Sequence, residues 1–316
     1  MARWVPYCAL AWAVVTVNFA LPRVAPGHPL DYLLGEEAAR LSPRQRAEAL
    51  RAFGLDRPLH EQYIAYVVGL ATGRWGRSVR FGRPVLEVIA ERLPRTLALF
   101  IPATLIAVFL GTVLGAWAGY TTRARWDAGV SSAVLLLDAM PGFWIAMVLL
   151  SVFAVELGWF PVSGSSFAAS PQPWEQVRRA VLPAATLVLA TLGRTFLVVR
   201  GAMRSVCQEE FLWALEAKGL PPRAVLWRHA LPNAWLPAYT QIVLHLGAGA
   251  GGAVVVETVF GYPGMGRALY EALLARDYPL LQGILSVVAF ATIVANAAAD
   301  ATYPWFDPRL RGGPAA

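Results

Sequence analysis

Six stretches of about 20 mostly apolar residues decide most of what this chain can become. In hydrocarbon each backbone N–H and C=O must find its partner within the protein, so a stretch of that length crosses a bilayer as a helix. The stretches run over about 4–21, 95–120, 128–157, 181–199, 236–256 and 280–303. Of 316 residues 57% are hydrophobic and 15% charged, and the mean hydropathy is +0.50. A soluble domain carries roughly a quarter charged residues, so a soluble enzyme is excluded. The expectation is an all-α polytopic membrane protein with six transmembrane helices.

The first block, preceded by Arg3, lacks the small-residue cleavage site of a signal peptide and is expected to stay as an anchor helix over 1–22. A polar stretch over 23–94, opening on Pro26-Gly27-His28-Pro29, reads as an extracytoplasmic loop domain. The remaining five spans form a core over 95–306, and 307–316 is a short tail. Gly111, Gly115 and Gly119 recur every fourth residue along one face of the second span, a spacing that brings helices close in lipid. Pro141-Gly142 interrupts the third span and is expected to kink it. Gly247, Gly249, Gly251 and Gly252 cluster in the fifth, where close packing is preferred to a flexible pore segment.

A net charge of +7 suggests nucleic acid only at first sight, since the basic residues, 26 of 27 of them Arg, fall between apolar blocks. Orientation explains them better. With the N-terminus in the cytoplasm, the inner connectors hold Arg3, Arg123, Arg125, Arg200, Arg204, Lys218, Arg223, Arg228, Arg309 and Arg311. The short outer loops hold only Arg178, Arg179, Arg267 and Arg276. The excess of positive charge on short inner loops therefore favours both termini inside. Cys8 and Cys207 lie apart, and the four histidines have no paired ligand spacing, so neither redox nor metal chemistry is expected. Trp4, Trp126, Trp159 and Trp305 fall near span ends and read as interfacial anchors.

The connector between the fourth and fifth spans, 201–235, is the informative polar segment. Residues 205–218 lack Gly and Pro and suit a helix, Gly219 suits its C-terminal cap, and Pro221-Pro222 opens a second short helix expected to end at Pro232. Short helices with apolar and Arg side chains suit docking into another protein's groove.

Ala214, Gly219 and Leu231-Pro232 stand in the register of the coupling loop of importer permeases driven by ATP-binding cassettes. That loop has Glu-Ala-Ala, then Gly, Ile and Leu-Pro; here Trp213, Leu215 and His229 take the Glu, second Ala and Ile places. Ala217-Lys218-Gly219-Leu220, Arg228-His229-Ala230-Leu231 and Asn233-Ala234 resemble the peptide and nickel branch. So do Pro26-Gly27-His28-Pro29, with His28 in place of Asp, Gly54-Leu55-Asp56-Arg57-Pro58-Leu59 with Gln62-Tyr63, and Arg92-Leu93-Pro94-Arg95-Thr96-Leu97. The run from Val256 to Gly266, Arg276-Asp277-Tyr278-Pro279, and Asp300, Tyr303 and Asp307-Pro308-Arg309 continue the likeness to the C-terminal end.

The resemblance implies a transport subunit, not an enzyme, in a bacterial or archaeal plasma (inner) membrane. It carries no phosphate-binding G-x-x-x-x-G-K-[ST] loop. ATP and Mg would be used by two separate ATPase subunits docked on the connector, with no cofactor on this chain. A second homologous permease would line the other half of the path, and an extracytoplasmic binding protein would deliver peptides or a related small solute, a nickel or metal chelate being the alternative. The outer mouth would lie between loop 23–92 and turn 257–279, with Glu257, Pro263, Gly264, Gly266 and Asp277 in structural or gating roles.

Asp138, Arg194, His245 and Asp300 lie in or near spans, where ionisable groups face a bundle interior or a watery cavity. A structural Asp138–Arg194 pair is favoured over two path-lining groups. Two other classes are set aside: an ion-coupled secondary transporter would need repeated halves, and an intramembrane enzyme a nucleophile or metal-ligand set.

Overall fold

The computed structural model describes residues 5–24, 41–52, 55–121, 124–162 and 172–306. Among these the chain is helical, with one isolated β-bridge between Arg77 and Pro84. The helices are α1 (Val5–Val24), α2 (Pro43–Ala52), α3 (Leu59–Ala71), α4 (Val85–Tyr120), α5 (Ala124–Ala139), α6 (Gly142–Leu149), α7 (Pro173–Val206), α8 (Glu210–Ala217), α9 (Pro222–Ala224), α10 (Leu231–Val259), α11 (Met265–Leu274) and α12 (Tyr278–Phe306). Wide π-helical turns extend α6 over Leu150–Glu156 and join α9 to α10 over Val225–Ala230.

Among the described residues four helices are long and apolar enough to cross a membrane: Val5–Val24, Val85–Tyr120, Trp174–Val206 and Tyr278–Thr302. They coincide with the first, second, fourth and sixth expected spans, and α10 contains the fifth. The third differs from its expectation. Instead of one kinked helix, α5 and α6 meet at 100°. The residue before a proline is pushed out of the helical region, so α5 ends at Ala139 and Pro141 becomes the extended N-cap of α6. The stretch Gly142–Glu156 reaches only about 22 Å, less than the hydrocarbon thickness.

The second span also begins earlier, at Val85, so the last ten residues of the polar stretch are helical. Glu87 and Glu91 pair with Arg83, and Glu91 with Arg95, which supports helix where composition alone reads as loop.

The chain groups into two compact units, Met1–Thr96 with Pro263–Val294, and Leu97–Tyr262 with Ala295–Ala316. The first is built on Val85, Val88, Ile89, Met265, Ala268, Ala272, Leu280, Leu281 and Ile284. A Cβ on Gly283 of α12 would lie 2.5 Å from Val85 Cγ1, so glycine permits this approach. Asp277 ties the same unit together. Its wholly buried carboxylate accepts from Ser78 Oγ at 2.5 Å, Arg80 N at 3.0 Å and, as an N-terminal cap of α12, Leu280 N at 3.1 Å.

In the second unit α4 packs on α7 along the glycine stripe. A Cβ on Gly111 would lie 2.8 Å from Thr195 Cβ, on Gly115 2.7 Å from Phe196 O, and on Gly119 2.7 Å from Met203 Cβ. The expected close approach is therefore present, with α7 as the partner. A second core gathers Leu99, Ala103, Ala107, Ala146, Leu182, Leu187, Val256, Phe260 and Tyr262.

Candidate functional site

α7 runs into the connector and ends at Val206, three residues short of a new helix. Residues 205–218 are thus not one helix: Cys207, Gln208 and Glu209 turn the chain, and α8 follows with Glu209 as its extended N-cap and Glu210 in its first turn, where the helix dipole favours acid. Burial pushes the Cys207 thiol up from its ordinary pKa, and the Glu216 carboxylate adds to that, which disfavours the thiolate.

One side of α8 is anchored and the other bare. Leu212 is 2% exposed and shares a core with Ala116 of α4, Val199 and Met203 of α7, and Val225, Leu226, Ala230 and Ala234. On the rest of the helix surface Trp213 is 70% exposed, and Phe211, Ala214, Ala217 and Lys218 are open as well. An exposed tryptophan beside a phenylalanine costs hydration and marks a contact surface.

Gly219 closes α8 as expected. Its φ is +80°, its N–H donates to Glu216 O at 2.9 Å, and Leu220 N–H donates to Leu215 O at 3.4 Å. These are the two bonds of a Schellman cap, and Leu215 and Leu220 supply its apolar contact in the shared core. A Cβ at Gly219 would touch nothing, so only the backbone conformation asks for glycine.

Pro232 does not end the second segment. From Pro222 the chain stays helical through to Val259. A proline ring collides with the carbonyl four residues back in a regular helix, but here the preceding turn is widened to π geometry, and Leu231 N–H bonds Leu226 O. Asn233 Nδ2 donates to His229 O at 2.7 Å across the same place. His229 and Leu231 are half-buried, and Arg228 and Pro232 are exposed. Between α8, the π turn and the end of α4 lies a cleft of about 760 Å³, lined by Trp117, Tyr120, Trp213, Glu216, Arg223 and Trp227 among others.

At the start of the connector stands an ion cluster that the sequence reading missed. Arg200 grips Asp127 of α5 through Nε and Nη2, both at 2.7 Å, Arg204 adds Nη2 at 2.5 Å, and Ser131 Oγ donates at 3.3 Å. The carboxylate is 11% exposed and shared by two guanidinium groups, so it clamps α5 to the connector end of α7. In the sequence these arginines register only as topology-setting charge; their partner lies 73 residues away.

The other candidates are not gathered at one place. Asp138 and Arg194 form no ion pair; both are exposed, and the favoured pairing is corrected. Asp138 packs over Gly193 instead, where a Cβ would come within 2.6 Å of it. The backbone geometry explains this: the neighbour of Asp138 across the helix contact is residue 193, and Arg194 points away with its exposed side chain. Glu257 is 0% exposed near the end of α10, so its carboxyl group is held inside the second unit. The chain then turns through Gly261 at φ +62°, with Tyr262 N–H bonding Glu257 O at 2.8 Å. Glu257→Gln is expected to keep the fold and cut uptake severalfold, because the buried group loses its charge but not its shape; wild-type uptake in vesicles would contradict this.

Pro263, Gly264 and Gly266 are buried and belong, with Asp277, to the first unit. Asp300 is exposed on α12. The side chains of His245 and Tyr303, the packing around Gly247, Gly249, Gly251 and Gly252, and Pro26-Gly27-His28-Pro29, Gly54 and the tail 307–316 lie outside the described residues.

Residues 111–312, which contain the glycine stripe and the whole connector, match the family model described as binding-protein-dependent transport system inner membrane component. The chain is 35% identical to the di/tripeptide transport system permease protein of Pseudomonas aeruginosa, over 95% of this chain and 94% of that one. It is 32% identical to the dipeptide transport system permease protein of Alkalihalophilus pseudofirmus, over 93% of each. It is also 30% identical to the oligopeptide transport system permease protein of Bacillus subtilis, over 94% of each. Membership of such a system implies ATPase and solute-binding partners, and a translocating subunit that is not itself an enzyme. A polytopic all-α chain with a bare, well-anchored connector and these relatives belongs to the family of binding-protein-dependent transport system inner membrane components.

Proposed function

We propose that this chain is one permease of a peptide importer, lining half of the path beside a second, homologous permease. Two ATPase subunits dock on the connector 201–235, one per permease, and a solute-binding protein delivers peptide at the opposite surface. Both chain termini lie in the cytoplasm. The substrate class rests on the relatives, which are named for di- and tripeptides, dipeptides and oligopeptides.

The observation that carries the docking role is α8, bare at Phe211 and Trp213 and fixed from behind by Leu212. Because Leu212, Leu215 and Leu220 share a core with Met203 of α7 and Ala116 of α4, a push on α8 displaces those helices with it. ATP-driven closure of the ATPases would then favour one arrangement of the spans and hydrolysis the other, which is how a ligand with different affinity for two states drives alternating access.

The test is Trp213→Ala in proteoliposomes holding the whole transporter. A central exposed tryptophan of an interface contributes about 2 kcal/mol on truncation, so ATPase binding is expected to weaken roughly thirtyfold and peptide uptake to fall with it. Gly219→Ala, which adds no steric contact, costs about 1 kcal/mol through its left-handed backbone and is expected to shift the α8 end less severely. Unchanged ATPase affinity and uptake in Trp213→Ala would remove α8 from the docking surface.

A further inference from the structure

We propose that the first unit holds a site for the phosphate headgroup of an anionic glycerophospholipid at the membrane interface. The site is a cavity of about 460 Å³ between the end of α1, α3 and the start of α12. Four arginines line it, Arg23, Arg51, Arg57 and Arg74, and no carboxylate does so among the described residues. Arg23 is half-buried and is held by neutral groups: it donates to Phe19 O at 2.7 Å and Gln62 Oε1 at 2.6 Å, with its guanidinium 3.5 Å from the centre of the Phe19 ring. Arg51, Arg57 and Arg74 are exposed and make no ion pair with a described residue.

Guanidinium groups lining one cavity, with no carboxylate among its described lining residues, attract an anion, and their planar forks fit phosphate oxygens two at a time. The volume falls within the range of small-molecule sites. Two observations make the anion a lipid in preference to a free ion. The cavity sits at the joined ends of two candidate spans, since Asn18 of α1 bonds Ser286 of α12 at 3.1 Å and Gln282 bonds Asn18 O at 2.6 Å. That places it at the level where a bilayer carries its headgroups.

The second observation is α3, a 13-residue apolar helix outside the spans with no buried residue. It turns Gln62, Ala65, Tyr66 and Gly69 to the cavity and leaves Ile64, Val67 and Val68 bare on another face. An apolar face next to a phosphate-sized basic pocket matches a helix lying in the interface with acyl chains against it. The proposal concerns neither the transported solute nor the connector, so it stands or falls apart from the importer reading.

The test uses the assembled transporter equilibrated with vesicles of equal phosphatidylglycerol and phosphatidylcholine, purified, and assayed for bound lipid by mass spectrometry. The intact protein is expected to retain phosphatidylglycerol in excess. The combined substitution of Arg51, Arg57 and Arg74 by Ala is expected to cut that excess at least about tenfold, since each interfacial cation adds to the attraction. These side chains are exposed, so folding is expected to survive, and thermal unfolding checks it. Replacing Arg44, Arg77 and Arg83 with Ala removes the same net charge elsewhere in the unit and is expected to leave the excess intact. Equal retention of the two lipids by the intact protein, an equal drop in both triple variants, or displacement of the bound lipid by inorganic phosphate alone would each overturn the proposal.

Discussion

Gly115→Leu is expected to leave little folded protein in the membrane, and Gly115→Ala to lower its unfolding temperature by several degrees. A single methyl at this position would sit 2.7 Å from the backbone carbonyl oxygen of Phe196 and 3.1 Å from Val199 Cβ. Backbone cannot rotate aside as a side chain can, so α4 and α7 must separate along their length. Overpacking a close contact costs about 1–3 kcal/mol for small additions, and the separation also loses the dispersion contacts that hold helices together in lipid. Gly111→Ala and Gly119→Ala meet contacts of 2.8 Å and 2.7 Å and are expected to behave alike. Gly129 and Gly201 supply the contrast. A Cβ at either touches nothing, so Ala there is expected to be neutral or to stabilise by about 0.5–1 kcal/mol through helix propensity. Thermal unfolding of the purified protein in detergent measures all five, and a Gly115→Ala protein as stable as Gly201→Ala would refute the close contact.

The second large effect is expected at Asp127. Asp127→Ala leaves Arg200 and Arg204 facing each other across a partly exposed gap, and losing the shared hydrogen bonds to a charged group costs roughly 1.5–3 kcal/mol. Arg200→Ala is expected to approach that figure, because its side chain is 20% exposed and holds both carboxylate oxygens. Arg204 is 52% exposed and holds one, so solvent screening reduces the loss on Arg204→Ala to about 1 kcal/mol or less. The double variant Asp127→Ala with Arg200→Ala should cost less than the two single variants added together, since each single one already breaks the shared contact. Strict additivity in thermal unfolding would show that the two side chains do not interact. Uptake is expected to fall with stability, as the cluster joins α5 to the end of α7 that leads into the connector.

The features legible in the sequence were those set by residues near one another along the chain. The four-residue glycine spacing predicted a close helix contact, and Gly219 predicted a cap, because both signals are local. The identity of the helix against the stripe, α7 over residues 192–203, is tertiary and no spacing within α4 contains it. Asp127 with Arg200 was hidden for the same reason: topology rules count charges by loop and do not pair them across helices.

Prolines were read well in one place and poorly in two. Pro222 opens a helix as expected, but Pro141 produced a 100° turn where a kink was foreseen, and Pro232 is carried inside a helix whose preceding turn has widened. Local rules say that a proline disturbs a helix; the surrounding packing decides whether the chain bends, breaks or absorbs it. Asp277 shows the converse. An Asp at the entrance to Tyr-Pro-Leu-Leu is an ordinary capping signal, and the bond to Leu280 follows from it, whereas those to Ser78 and Arg80 join residues almost 200 apart.

The glycine stripe also limits how the second unit can move. Its three contacts repeat about every 6 Å along α4, and each sets a glycine directly against backbone or Cβ atoms of α7. The two helices therefore mesh like a toothed rack: a slip of a fraction of a tooth drives side chains into carbonyl groups, and a full tooth breaks the Leu212 core at the same stroke. A force applied at the connector is left with one low-cost outlet, rotation of α4 and α7 together as a single strut.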